Sequence, residues 1–242
     1  MFDADINRED TIIRRAEERG HADHGWLKSA HSFSFAGYHD PDWMGFGPLR
    51  VINDDQVAGG AGFPMHPHAD FEIFSYVLEG KLEHKDSMGN GSVVKAGGVQ
   101  YMTAGTGVRH SEFNPDTENP VKFLQIWMVP EESGAKPGYQ TLDIPPAEKD
   151  GKLRLFISKD GREGSIKTLA PAEVYAAHMT EGQETRFTLP EGRKAYIHLA
   201  EGSAQVNGER LWRGDAIALS APGEVTLSGG EEAEVLLFDL KA

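Results

Sequence analysis

The sequence predicts an all-β protein built as two related, barrel-like halves in tandem, and three observations lead there. The 242 residues include 28 glycines and 13 prolines, against usual shares of roughly 7% and 5%, and these separate short apolar runs as turns separate strands. Two of those runs, FEIFSYVLEG and VKFLQIWMVP, are apolar on both faces, as strands covered on both sides are. The pattern of residues 76–129 also returns, weakly, near the C-terminus: YVLEGKLEH is echoed by IHLAEGSAQV, VVKAGGVQYMTAGTGV by RLWRGDAIALSAPGEV, and KFLQIWMV by EVLLFDL.

In chain order, residues 1–10 read as a loose polar arm and TIIRRA as a first strand. The segment from His21 to Asp55 is rich in histidine, aromatics and glycine. In it S-F-S-F alternates as a half-buried strand does, Y-H-D-P-D signals a turn, and LRVIN reads as a strand closed by Asp54 and Asp55. His21, His24, His31 and His39 have no second ligand at metal spacing and are expected to be hydrogen-bonded surface or loop residues. After FEIFSYVLEG, the stretch KLEHKDSMGNGSVVKAGG reads as strand, turn and strand. Pro130 and EESGAKPGYQ mark the domain boundary, giving residues 1–133 and 134–242.

Composition removes several function classes. With no cysteine there is no disulfide, thiolate metal site or cysteine nucleophile, so any metal must use histidine and carboxylate. A net charge of −14 argues against direct nucleic-acid binding, which draws on clustered Lys and Arg. The charged N-terminus shows no secretory pattern, and FLQIWMV and VLLF are strand-sized, too short for a membrane helix. A cytoplasmic protein is expected.

Two short strings carry the chemistry. In a strand, residues at i and i+2 share a face, so H-P-H aims His66 and His68 the same way, and H-S-E does the same for His110 and Glu112. If both strands line one barrel, three imidazoles and a carboxylate converge on one point. That donor set suits Fe(II), Mn, Co, Ni, Cu and Zn alike, and four protein ligands leave open positions on an octahedral ion, as catalysis needs. Aligning Gly98 with Gly214 and Gly107 with Gly223 places Thr226 and Ser228 at the positions of His110 and Glu112. Counting back from Gly202 places Thr188 and Pro190 at those of His66 and His68. The second half therefore keeps the strand pattern without the ligands.

The strings M-H-P-H-A-D-F-E and A-G-T-G-V-R-H-S-E-F-N resemble the paired cupin motifs, with Glu72 at the position where many cupins place a glutamate ligand. More specifically, G-H-A-D-H-G-W-L, H-S-F-S-F-A, V-L-E-G, H-K-D-S-M-G-N and A-G-T-G-V-R-H-S-E resemble the pirin family over about residues 14–130. The resemblance implies a bicupin of two tandem jelly-roll β-barrels. It also implies one metal, usually iron, in the N-terminal barrel at His66, His68, His110 and Glu112. Glu72 is then expected just outside the ligands.

Pirin-like proteins are associated with quercetin 2,3-dioxygenase activity, so the resemblance further implies opening of a flavonol ring by O2 with release of CO. Glu112 would then be both ligand and proton acceptor. Phe33, Phe35, Phe46, Met65, Met102 and Phe113 are candidates for the apolar mouth such a substrate needs, and His84 and Gln100 for polar support. The alternative is a non-catalytic iron protein that engages a protein partner according to its redox state. A zinc isomerase of the cupin type lacks a sugar-phosphate clamp of Arg and Lys near the motifs.

Overall fold

The computed structural model describes residues 10–242; the expected N-terminal arm lies, but for Asp10, outside them. The chain divides into two compact units. One comprises residues 19–145 with 156–171, and the other the described residues up to 18 together with 146–155 and 172–242.

After β1 (Thr11–Arg14), which belongs to the second unit, the chain builds the ligand-bearing unit. Its strands are β2 (Gly20–Asp23), β3 (Leu27–His31), β4 (Leu49–Val57), β5 (Gly62–His68), β6 (Glu72–Glu79), β7 (Lys81–Asp86), β8 (Gly91–Lys95), β9 (Gly98–Thr103), β10 (Val108–Phe113), β11 (Val121–Met128) and β12 (Gly138–Asp143). They form a seven-stranded sheet in the order β12-β9-β6-β11-β4-β3-β2 and a four-stranded sheet in the order β5-β10-β7-β8. Two sheets facing each other make a β-sandwich, and hydrogen bonds do not close it into the continuous barrel the sequence suggested. Leu27, Val57, Val77 and Phe123 meet Leu82 and Val94 of the smaller sheet in one apolar cluster. A second cluster of Ile73, Met102 and Ala104 around Val108 lies farther along the same strands, and polar side chains fill the space between.

Two local expectations change, and two further strands appear. S-F-S-F is not a strand: Ser34 accepts the Asp40 N–H and donates to the Asp40 carbonyl, bending the chain into a turn with Ala36 at φ 50°. Short polar side chains that bond nearby backbone compete with ladders in this way. The strand LRVIN runs on through both aspartates to Val57, because Ser29 donates to Asp55 and the Arg19 guanidinium lies 3.7 Å from Asp54. Strands β2 and β3 carry no clean alternation, and their pairing with each other and with β4 makes them strands.

Beyond β13 (Arg154–Ser158) and β14 (Ile166–Lys167), the second unit contains β15 (Ala172–Met179), β16 (Glu184–Leu189), β17 (Arg193–Val206), β18 (Glu209–Trp212), β19 (Ala216–Leu219) and β20 (Gly223–Lys241). The long strands β17 and β20 pair along most of their length, with register shifts between Leu199 and Gln205. Bulges of this kind bend a strand. Gly202 is required there: its φ is +67°, and a Cβ would stand 2.3 Å from two backbone carbonyl oxygens. Register corrects the repeat by two residues. Thr226 pairs with Arg186 and Glu224 with Thr188, as His110 pairs with His66 and Val108 with His68. Arg186 and Thr188 thus replace the two histidines, and the second unit still has no ligand set.

Candidate metal centre

The pairing of β5 with β10 sets His66 directly opposite His110. Pro64 and Pro67 are tolerated because β5 is the edge of its sheet. Alternation brings His68 to the same face, and the three imidazole rings lie 4.5 to 4.9 Å apart between centroids. One nitrogen of each falls within 4.8 Å of the other two. The Nε2 atoms of His66 and His110 are 3.1 Å apart, close to the ~3.0 Å separating two nitrogens about 2.1 Å from one ion at a right angle.

The opposite ring nitrogens fix the tautomers. His66 Nδ1–H donates to the Pro64 carbonyl at 2.7 Å. His110 Nδ1 faces His84 Nδ1 at 3.4 Å, and His84 Nε2–H donates to Asp86 at 3.1 Å. With Asp86 accepting from His84, the free His84 Nδ1 accepts from His110 Nδ1–H, which leaves the His110 Nε2 lone pair facing its partners. Burial, then neighbouring imidazoles, pushes His68 down to about 4 and His110 to about 3. Both rings are therefore neutral at pH 7, as metal ligation requires. Burial opposes ionisation of Asp86, yet bonds from Asn90, His84 and the Met88 N–H hold it below the usual carboxylate range. His84→Phe keeps the stacking on Tyr139, whose ring lies 4.2 Å away, and removes the acceptor. A chelator titration should show metal affinity 10–100-fold weaker; unchanged affinity would mean that His84 only fills space.

Glu112 is buried on the inner face of β10. Its Oε1 accepts from Ser75 and Gln100 and its Oε2 from Gln125, the last at 3.0 Å. A carboxylate has about four acceptor positions, so one lone pair on Oε2 is left. The three donors belong to a single register row of the large sheet, which runs Gln100, Ser75, Gln125, Asn53, His31, one residue per strand from β9 to β3.

A cavity of about 710 Å³ opens beside this row. His66 and His68 line it together with Phe63, Trp127, Gln125 and a wall of Ser29, His31, Asn53 and Asp55. The Trp127 ring meets His68 edge-on, with centroids 4.8 Å apart.

Residues 12–128 match the Pirin family, and residues 155–240 match a quercetinase C-terminal cupin domain. The chain is 44% identical to quercetin 2,3-dioxygenase of Escherichia coli (strain K12), over 94% of its own length and 97% of that protein's. The chain belongs to the pirin family. It is also 40% identical to a pirin-like protein of Caulobacter vibrioides, over 92% of its length and 96% of that protein's. A crystal structure of a bacterial pirin from Escherichia coli in complex with nickel(II) superposes with a TM-score of 0.91 at 42% identity, covering 96% of this chain and 99% of that one.

In this pirin the three histidines expected as ligands converge, and among the described residues they form a group able to hold a metal ion. Glu112 stands outside that group, held by its three donors. Gln100 and His84 both support the site. Glu72 does not lie beside it. The chain bends at Asp70, with φ 52°, and β6 starts a new sheet, so alternation is not carried across from His68. Glu72 instead accepts from Tyr101, Thr103 and the Leu169 N–H. Of the six residues proposed for the mouth, Phe35 lines the large cavity and Met102 a small cleft beside His110. Phe63 and Trp127 supply the other aromatic walls; His21 and His24 are exposed at the edge of the same cavity, as expected of surface residues, whereas His31 is buried in its wall and bonded to Asn53. No helix among the described residues is long and apolar enough to cross a membrane.

Proposed function

We propose that this pirin is an Fe(II)-dependent dioxygenase that opens the ring of a flavonol such as quercetin with O2 and releases CO. The observation that carries this reading is the convergence of three imidazoles, His68 and His110 held neutral by burial, with His66 and His68 at the wall of a cavity lined by aromatic rings. The high identity to a quercetin 2,3-dioxygenase supports it. His66, His68 and His110 would hold the ion, with Glu112 Oε2 as a fourth ligand through its remaining lone pair. A bound ion supplies Lewis acidity toward the oxygens of the flavonol.

The chain's own groups do the rest. Trp127, Phe63 and Phe35 would hold the planar rings and exclude water. Glu112, fixed by Ser75, Gln100 and Gln125, would turn that same Oε2 lone pair from the ion to the proton of the 3-hydroxyl group. The ligand-bearing function belongs to residues 1–133 in this reading, and residues 134–242 serve packing or an interface.

The test is an oxygen-electrode assay on protein loaded anaerobically with Fe(II). Uptake should follow added quercetin, with one metal per chain, and Glu112→Gln should lower kcat by about 10²–10⁴-fold, the usual contribution of a positioned base. One metal per chain with no flavonol-dependent uptake would overturn the oxygenase reading and favour a metal-dependent partner protein.

A further inference from the structure

The part of the cavity away from the histidines is polar in a specific way. Ser29 and His31 on β3, and Asn53 and Asp55 on β4, are each no more than 6% exposed and all line the cavity. Their internal bonds are few. Ser29 Oγ donates to Asp55 Oδ1, and His31 Nδ1–H donates to Asn53 Oδ1 at 2.9 Å. Among the described residues no hydrogen bond uses Asp55 Oδ2, His31 Nε2 or Asn53 Nδ2, and none of these atoms is sealed from solvent as an orphaned buried group. Buried polar groups are normally paired. Three with spare capacity on the wall of one cavity make a surface waiting for hydrogen bonds.

The unused atoms define the partner. With its Nδ1 proton committed to Asn53, His31 presents an acceptor at Nε2. Desolvation lowers its pKa, which keeps the ring neutral. Asn53 Nδ2 is a donor. Burial raises Asp55 to about 7 against the opposing Ser29 bond, so this carboxyl can accept or donate near neutrality. A group that both donates and accepts satisfies this set, whereas a carboxylate would meet two acceptors. A phenolic hydroxyl fits.

Distance fits as well. Gln125, which holds Glu112, lies in the same register row as Asn53 and His31, on strands β11, β4 and β3. Two strand spacings are roughly 10 Å, the scale of an aromatic molecule of two or three rings.

We propose that Ser29, His31, Asn53 and Asp55 form a recognition subsite for the phenolic hydroxyl groups at the end of the substrate remote from the metal, so that this pirin selects polyhydroxylated aromatic substrates over unsubstituted ones. The subsite rests on the functional reading above for what occupies the other end of the cavity. These residues are specificity-determining and take no part in the chemistry at the metal.

The test compares quercetin with 3-hydroxyflavone, which keeps the ketone and 3-hydroxyl group but lacks the outer hydroxyls. Calorimetry under anaerobic conditions on the metal-loaded full chain gives both dissociation constants without turnover. Wild-type protein should bind quercetin at least about tenfold tighter, and Asp55→Leu and Asn53→Leu should each reduce that ratio several-fold with metal content kept. A purely structural role would weaken both ligands together and leave the ratio alone. A wild-type ratio near one, binding of neither compound, or a ratio unmoved in the variants that keep their metal overturns the subsite. If neither variant folds, the wild-type ratio decides. Tight, discriminating binding of quercetin without oxygen uptake would overturn the dioxygenase reading and leave the subsite standing. Uptake with an unmoved ratio would do the reverse.

Discussion

His110→Ala should yield a folded protein that retains almost no metal. His110 is the one member of the triad contributed by β10; the other two come from the edge strand β5. Its ring lies 4.5 Å from His66 and 4.9 Å from His68, so its removal turns a convergent group into two neighbours on one strand. Loss of an outer partner of a ligand costs 10–100-fold in metal affinity, and loss of the ligand itself should exceed about 100-fold. His110 is 2% exposed, but the space it vacates lies beside polar groups and the small cleft, and it belongs to neither apolar cluster, so those are left intact. Elemental analysis after dialysis, with circular dichroism to confirm the fold, reads the result. One metal per chain in this variant would show that the three histidines are not the ligand set.

A single methyl group on the opposite strand should have nearly as large an effect. Gly62 opens β5, and a Cβ there would stand 2.3 Å from the carbonyl oxygen of Glu112 and 2.6 Å from the Cα of Phe113, where ordinary contact begins at 3.4 Å. Backbone cannot move aside as a flexible side chain can. In Gly62→Ala the start of β5 must therefore lift from β10 by roughly 1 Å, a misplacement that can cost about 10²-fold in rate. The two histidines on β5 separate from His110, and kcat/KM for quercetin and metal affinity should fall together. Gly138→Ala is the control. Nothing lies within 4 Å of its added Cβ, and its φ is not in the left-handed region, so both quantities should stay at their wild-type values. Equal behaviour of the two variants would refute the close approach of β5 and β10 as the device that sets the triad.

The triad was legible because its information is local. His66 and His68 are two apart on one strand, His110 follows a glycine turn, and alternation suffices to aim all three. The same rule does not extend to Glu72, because it holds only along one uninterrupted strand and the backbone turns at Asp70. S-F-S-F failed for a related reason: its serine found backbone partners closer than a neighbouring strand. The cavity was hidden for a different reason. His31, Asn53 and Gln125 become neighbours only through the pairing of β3, β4 and β11, and nothing in the spacing of those residues announces it. The second unit's register could be read only to within two residues, since β16 and β17 are separated by a turn whose length the glycine alignment does not fix.

The row of polar residues running from Gln100 to His31 gives this scaffold an evolutionary freedom. Its first three members steady the carboxylate beside the histidines, and its last two face the far end of the cavity. Because each rung is carried by a different strand, point mutations on β3 or β4 can retune which molecules are admitted while β5 and β10 are left untouched. Chemistry and selectivity can drift at separate paces on one sheet, and new substrates can be acquired without rebuilding the centre that transforms them.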